Sequence, residues 1–414
     1  MIRMQLDKKA EATVVAGDLH KILNATPLKP FDDAVLDFFN ALSKRLVGIR
    51  EYSDVATFGF WCRKASLLKA KEYYSNLDLS SMLGRGIVFH STPSNVPVNF
   101  AYSFAAGLLA GNANIIRLPG KDFEQVQIIT TAVRELLDGE HSHLASYVCF
   151  VKYPPDKKLH DVYSSICDVR VIWGGDSTIA ELRESPLKPK ATELTFADRY
   201  SIAVIDAFAY LEAVEKQRIT QDFYNDTYFS DQNACTSPRI VFWLGNEADR
   251  DSAKELFWEN TGVMVREKYD LAPVQAVGKL AAFYKVAADR TVSVTGDGAL
   301  SQDGVTRHRP LSQNYITRIK VTDADSDLMR YKYNSGFFFE QDIDSLSDIF
   351  PVCGEGLQTL VYFGIDKDDI SSFISGFKPK GIDRVVPIGK SMDFSLIWDG
   401  YDLICEMSRK VVLL

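Results

Sequence analysis

Cys235 stands in the stretch YFSDQNACTSPRIVFWLG, where small and polar residues surround a thiol and an apolar run, Ile240 to Leu244, follows. A thiolate with access to substrate attacks acyl carbonyls, whereas a buried cysteine is an inert filler, and the local sequence accommodates both readings. Glu193, in ATELTFADRYSIAVID, falls just before a predicted strand. A carboxylate there is either a general base toward a thiol or an attacking water, or an ordinary strand-end glutamate. Asn95 lies between Pro93 and Pro97, as a turn residue or as a side-chain amide that donates to a developing oxyanion.

These groups need a scaffold, and the middle of the chain predicts one. Gly86 to His90 reads as a strand, Val98 to Ala110 as a helix stopped at Gly111, Asn114 to Leu118 as a strand and Glu124 to Leu137 as a helix. Tyr147 to Lys152 and Val169 to Trp173 read as two further strands with a helical stretch between them. Alternation of this kind predicts βαβ units and a parallel sheet covered on both faces. Such a sheet binds ligands beyond the carboxyl ends of its strands, which singles out two loops, HSTPSNVP at 90–97 and WGGDST at 173–178. Neither carries the GxGxxG dinucleotide fingerprint, and Gly84-Arg85-Gly86 precedes a strand rather than opening a helix. The first 80 or so residues read as helical, and the second half as a further α/β domain with a hairpin turn at Gly296-Asp297-Gly298. Trp398-Asp399-Gly400-Tyr401 reads as packing against the sheet, and His90 as a hydrogen-bonded structural histidine that could also approach a cofactor.

A chain of 414 residues is long enough for two or three domains at roughly 100–200 residues each. Apolar residues make up 46% and charged residues 25%, as in folded globular proteins, so neither disorder nor a disulfide scaffold is expected. The net charge of -8 argues against a nucleic-acid partner, which needs a basic face. Six cysteines, scattered without a CxxC pair, predict reduced thiols and no metal site. The opening MIRMQLDKKAEAT lacks the apolar run of a secretion signal. Val96 to Ala110 is shorter than the roughly 20 apolar residues that span a bilayer, so no membrane span and a cytoplasmic location are expected.

Taken together, these segments resemble the aldehyde-dehydrogenase superfamily, and within it the LuxC-type acyl-CoA reductases. The superfamily's Pro-Trp-Asn-Phe-Pro loop, its Ala-Gly-Asn and its apolar strand ending in Lys-Pro are similar to PSNVP and AGNANIIRLP here. Its Gly-Ser turn against cofactor phosphates resembles Gly174-Gly175-Asp176-Ser177, its Glu-Leu-Gly-Gly base motif Glu193-Leu194-Thr195-Phe196, and its Gly-Gln-x-Cys motif Asp231-Gln232-Asn233-Ala234-Cys235. The reductase branch is suggested by DQNACTSP, by GEGLQTLVYFGI at 354–365 and by the ending GIDRVVPIGKSMDFSLIWDGYDLI.

The resemblance implies an α/β, aldehyde-dehydrogenase-like fold of two doubly wound domains with a helical N-terminal region. The expected boundaries are 1–215 for the helical region and cofactor domain, 216–384 for the catalytic domain, and 385–414 for a segment packing back on the cofactor domain. It further implies Cys235 as nucleophile, Asn95 as oxyanion donor and Glu193 as general base. Ser91, Thr92, Pro93, Arg117, Lys121, Gly174, Gly175 and Ser177 are the expected cofactor contacts. With Arg117 and Lys121 near the adenosine ribose, two cations could take a 2′-phosphate, so NADPH is the expected cofactor. The implied reaction is reduction of a fatty acyl-CoA or acyl-carrier thioester to the aldehyde, with an acyl-protein synthetase as candidate partner and a homo-oligomer left open. An aldehyde dehydrogenase acting on free aldehydes and a cysteine acyltransferase or thioesterase without nicotinamide are the alternatives.

Overall fold

The computed structural model of the protein describes residues 12–94, 96–295 and 314–413. Gly296-Asp297-Gly298 and Asn95 lie outside the described residues. The chain divides into two compact units, one ending at Ala197 and resuming at Phe394, the other running Asp198–Asp393.

The first unit is built on a six-stranded sheet with the order β1 (Thr13–Gly17), β5 (Val148–Lys152), β4 (Ala113–Arg117), β3 (Ile87–Ser91), β6 (Val169–Trp173), β7 (Thr192–Phe196). All neighbours are parallel except β1, which runs antiparallel to β5. The strands form where β-branched and aromatic residues cluster; every residue of β6, VRVIW, is buried, as expected for a strand covered on both faces. Each buried aliphatic side chain of this kind stabilises the unit by about 1.5–3 kcal/mol. The order runs outward from β3 in both directions, so the topological switch lies between β3 and β6. The helix Asn99–Leu109 buries nine of its residues and is a core helix. It approaches β3 and β4 closely at Gly107, where a Cβ would stand 2.0 Å from Asn114 Oδ1. A short strand, β2 (Met82–Gly84), pairs with a C-terminal strand described below.

The second unit carries a seven-stranded sheet. Its order is β10 (Ser293–Thr295), β11 (Thr317–Lys320), β12 (Phe337–Ile343), β9 (Pro238–Leu244), β8 (Tyr200–Asp206), β13 (Leu357–Phe363), β14 (Arg384–Pro387). All pairs are parallel except β10 with β11.

The boundary expected after residue 215 falls instead at Ala197, because β8 is a central strand of the second sheet, hydrogen-bonded between β9 and β13. The last boundary moves from 384 to 393, because β14 pairs with β13 and Gly389 and Ser391 donate backbone N–H groups to Asp226. From Phe394 onward the chain belongs to the first unit. There the hairpin β15 (Ile397–Trp398) and β16 (Tyr401–Asp402) places Trp398 in the core, and β17 (Ser408–Lys410) pairs with β2. Among the described residues no helix is long and apolar enough to cross a membrane, and no cluster of potential metal ligands occurs.

Candidate functional site

Because β3, β4 and β6 are parallel, their carboxyl ends bring Ser91, Thr92, Pro93, Arg117, Gly174, Gly175 and Ser177 to one edge of the first sheet. The two loops named from the sequence flank the switch point itself. Thr92 is buried and its hydroxyl donates to the Arg117 carbonyl at 2.6 Å, which clamps the two loops but leaves that hydroxyl spoken for. The Arg117 guanidinium lies over the Tyr153 ring, 5.0 Å from its centroid. Arg117 Nε and the Tyr153 hydroxyl are buried without a hydrogen-bond partner among the described residues. Lys121 is exposed in the loop that follows β4.

Gly175 opens the helix Asp176–Arg183 and no side chain caps its first turn. A Cβ at Gly175 would meet nothing within 4 Å, so the space beside the start of this helix is open. Asp176 adds a negative charge in the same turn.

His90 is wholly buried and takes the structural role. Its Nδ1 is 2.7 Å from Ser103 Oγ and its Nε2 3.0 Å from Asn114 Oδ1, while Trp173 Nε1 donates to Ser103 Oγ at 2.9 Å. One tautomer satisfies every atom: Trp173 donates to Ser103, Ser103 to Nδ1, and Nε2–H to Asn114. Burial pushes the His90 pKa down to about 4, so the ring is neutral.

Glu193 departs from the expectation. It lies inside β7 rather than before it, directly paired with Arg170 on β6. One carboxylate oxygen accepts from Arg170 Nε at 2.7 Å and from its Nη2, and the other accepts from Arg183 Nε at 2.7 Å. Arg170 in turn donates to Ser164 Oγ and to the carbonyls of Leu182 and Ser185. A carboxylate engaged by two guanidiniums at both oxygens ties the edge strand β7 to its neighbours.

Cys235 lies in the second unit, at the amino edge of the sheet rather than its carboxyl edge. In a parallel sheet the segments leading into neighbouring strands lie side by side, so the turn before β9 meets the turn before β12 and the start of β8. Cys235 is half-buried; its carbonyl accepts from Ser201 Oγ at 2.7 Å. Asp231 and Gln232, just ahead of it, both adopt left-handed backbone, with φ 50° and 51°. Such strain in residues other than glycine persists only where neighbours enforce it, and here they do.

Gln232 is fully buried; its Oε1 accepts from Gly336 N at 2.9 Å and from Phe337 N, and its Nε2 donates to the Pro238 carbonyl. Asp231 accepts from Ser335 Oγ at 2.8 Å, from the Tyr269 hydroxyl and from Gln275 Nε2. Asn334 Nδ2 donates to Asn233 Oδ1 at 2.8 Å. The opposing turn is itself left-handed at Ser335 (φ 62°) and Gly336 (φ 79°), where a Cβ would collide with the Tyr315 carbonyl at 2.3 Å.

Two buried cations stand behind this pair of turns. Lys279 donates to the carbonyls of Asn314, Tyr315 and Ser335, and burial draws its pKa down to about 7. Arg239 donates to the Tyr333 carbonyl, Asn334 Oδ1 and the Gln232 carbonyl. On the far side Thr236 Oγ1 donates to Met392 Sδ at 3.3 Å, and the loop carrying Met392 is held by Asp226, whose pKa burial raises to about 6. None of Arg239, Lys279 or Asp226 announces itself in the sequence, since each works mainly through partners that no motif marks; Gln232 is quoted in the motif, but not its buried bonds to Gly336 and Phe337.

Comparison with known proteins follows the same lines. The long-chain acyl-protein thioester reductase 2 of Photobacterium leiognathi is 24% identical over 193 residues, which cover 46% of this chain and 37% of that protein. The long-chain acyl-protein thioester reductase of Aliivibrio fischeri is 27% identical over 166 residues, covering 39% and 33%. The matches thus span about a third of those relatives' length. Among solved structures, a mutant of the P. syringae indole-3-acetaldehyde dehydrogenase AldA in complex with NAD+ and IAA superposes with a TM-score of 0.59 at 11% identity. That match covers 91% of this chain and 82% of that one. The chain therefore has the aldehyde-dehydrogenase fold. The family model described as acyl-CoA reductase (LuxC) matches residues 64–271, half of the sequence, and the chain belongs to that family.

Proposed function

We propose that the protein reduces an acyl thioester to the aldehyde with NADPH, through an acyl-Cys235 intermediate. The observation that carries this reading is the nucleophile turn: a half-buried cysteine that follows left-handed backbone at Asp231 and Gln232, in a turn that Gln232, Asp231, Asn233 and Arg239 fix to a second turn. So much enforced geometry around one cysteine is the mark of a positioned nucleophile rather than of a filler.

In the proposed cycle the Cys235 thiolate attacks the thioester carbonyl, Asn95 donates its side-chain amide to the oxyanion, and the thiol carrier leaves. Reduction of the acyl-cysteine gives a thiohemiacetal on Cys235, which collapses to aldehyde and free thiol. A bound nicotinamide supplies the hydride. Its binding fits the edge between β3 and β6. There Gly175 and Ser177 offer backbone N–H groups at a helix start, while Gly174, whose N–H donates to the Phe196 carbonyl, shapes the turn, and Ser91 and Pro93 shape the facing loop. Arg117, with its unpartnered Nε, and Lys121 would take the ribose and its 2′-phosphate, and the names of the relatives support an acyl-protein as one source of the thioester. Glu193, held by Arg170 and Arg183, is left a structural role, which disfavours the oxidative reaction because that direction needs an activated water.

Incubation with an acyl-CoA in the absence of nicotinamide, followed by peptide mass analysis, tests the intermediate. The expected result is acyl mass on the peptide containing Cys235; acylation elsewhere, or none with either acyl-CoA or an acylated carrier, contradicts the proposal.

A further inference from the structure

Two arginines among the described residues are less than a tenth exposed, and they differ in one respect. Arg170 forms an ion pair with Glu193. Arg239, 8% exposed, forms none among the described residues, where its guanidinium donates to the carbonyls of Gln232 and Tyr333 and to the amide oxygen of Asn334. Even the partly buried Arg199, Arg250 and Arg318 each hold a carboxylate, of Asp383, Asp344 and Glu340. A buried cation satisfied only by neutral oxygens keeps its hydrogen bonds but lacks a counter-ion, which is costly in a medium of low dielectric constant.

We propose that Arg239 is the positioning residue of the nucleophile, a buried guanidinium wired to the backbone of the Cys235 turn whose counter-ion is the Cys235 thiolate. The inference rests on the reading of Cys235 as nucleophile. The wiring is direct: Arg239 grips the carbonyl of Gln232, three residues before Cys235, and itself lies four residues after it, so the turn closes around the charge.

The other charged groups facing this turn already have partners. Asp198, at the start of the unit, accepts from Lys332 Nζ with both carboxylate oxygens. Asp231 is held by Tyr269, Ser335 and Gln275, with Lys279 of the helix Pro273–Asp289 as a further charge nearby. Burial lowers the Arg239 pKa to about 10, and Asp198, Asp231 and Cys235 are the groups that oppose it by favouring the charged form. Arg239 therefore keeps its charge at neutral pH, whereas Lys279, near 7, loses part of its own. The favoured step is simple: the Cys235 S–H bond breaks, the proton passes to solvent, and the sulfur retains the electron pair on the turn that the guanidinium holds.

Alkylation of the full-length protein with iodoacetamide, without thioester or nicotinamide, reads this directly when followed at the Cys235 peptide by mass spectrometry as pH is varied. Cys62, Cys149, Cys167 and Cys353 are buried, and the Cys405 thiol is pushed up to about 11, so they give separable peptides and slow backgrounds. We expect an apparent pKa for Cys235 below the ordinary thiol value of about 8.5. In Arg239→Gln it should rise by about one unit or more, slowing alkylation at neutral pH roughly tenfold. Arg239→Lys, which keeps the charge, should restore most of the wild-type profile. A folded Arg239→Gln protein with an unchanged profile, or an Arg239→Lys protein shifted as far as Arg239→Gln, overturns the proposal. Should Arg239→Gln fail to fold, the wild-type profile still decides: an apparent pKa at or above the ordinary value overturns it. Because no substrate or cofactor is present, the reductase proposal can fail while this one stands, and the reverse.

Discussion

Replacing Glu193 with glutamine separates an anchoring role from a catalytic one. The change leaves the Arg170 guanidinium, 3% exposed, without its anion. Removing one partner of a buried ion pair costs about 3–5 kcal/mol. Arg170 retains Ser164 Oγ and the carbonyls of Leu182 and Ser185, which places the loss at the lower end, about 3 kcal/mol. The second pair adds little, because the Arg183 side chain is 58% exposed and such pairs contribute at most about 1 kcal/mol. For a unit of roughly 200 residues, about 2–4 °C per kcal/mol translates this into a fall in Tm of about 6–12 °C. Calorimetry of the wild type and Glu193→Gln measures the shift, and turnover well below the lower Tm should change little. A Tm within a degree or so of wild type, together with a loss of turnover of about a hundredfold or more, would refute the anchoring argument and restore Glu193 as a general base.

Other consequences of the geometry are equally accessible. Gly107→Ala should destabilise the first unit by about 1–3 kcal/mol, since the added Cβ meets Asn114 Oδ1 at 2.0 Å and must break its hydrogen bond to His90; denaturant unfolding reports it. His90 has a folded pKa of about 4 against about 6.5 unfolded, so its neutral form stabilises the fold above pH 6.5 and the unfolded chain takes the proton first as pH falls. Between about pH 7 and pH 4.5 the wild type should lose roughly 2.5 kcal/mol more than His90→Gln by urea unfolding; equal losses would remove His90 from the acid response. Arg117→Ala should lower kcat/KM for NADPH about tenfold while leaving that for NADH nearly unchanged, the size expected for one charge-assisted contact. A parallel loss with both cofactors would mean that Arg117 does not read the 2′-phosphate.

What the sequence disclosed is the part of the fold written locally. Runs such as VRVIW and IVFHS are short, mostly apolar and rich in β-branched and aromatic residues, so β6 and β3 can be read within a residue, and with them the two loops at the switch point. Glu193 reads as a strand-end residue because a charged residue in a short strand looks like an end until its cross-strand partner, Arg170, is known. The domain boundary was missed for a related reason: nothing in the sequence around Ala197 breaks the pattern, and β8 belongs to the second sheet only through β9 and β13, far downstream. The resemblance pointed to Cys235, but not to why its turn holds its shape. Asp231 and Gln232 tolerate left-handed backbone because Ser335 and Gly336, about a hundred positions later, donate hydrogen bonds to their side chains. Contacts at that separation leave no periodic trace.

In the proposed reaction Cys235 carries an acyl group which NADPH then reduces. Purified protein mixed with NADPH and acyl thioesters of several lengths, as CoA esters and as acylated carrier, tests it through loss of the reduced-nicotinamide absorbance beside a Cys235→Ala control. The expected result is oxidation of NADPH that depends on both the thioester and Cys235, with aldehyde as product. Turnover that survives in Cys235→Ala, or a folded wild-type protein that binds NADPH yet oxidises none with any of the thioesters, would contradict it.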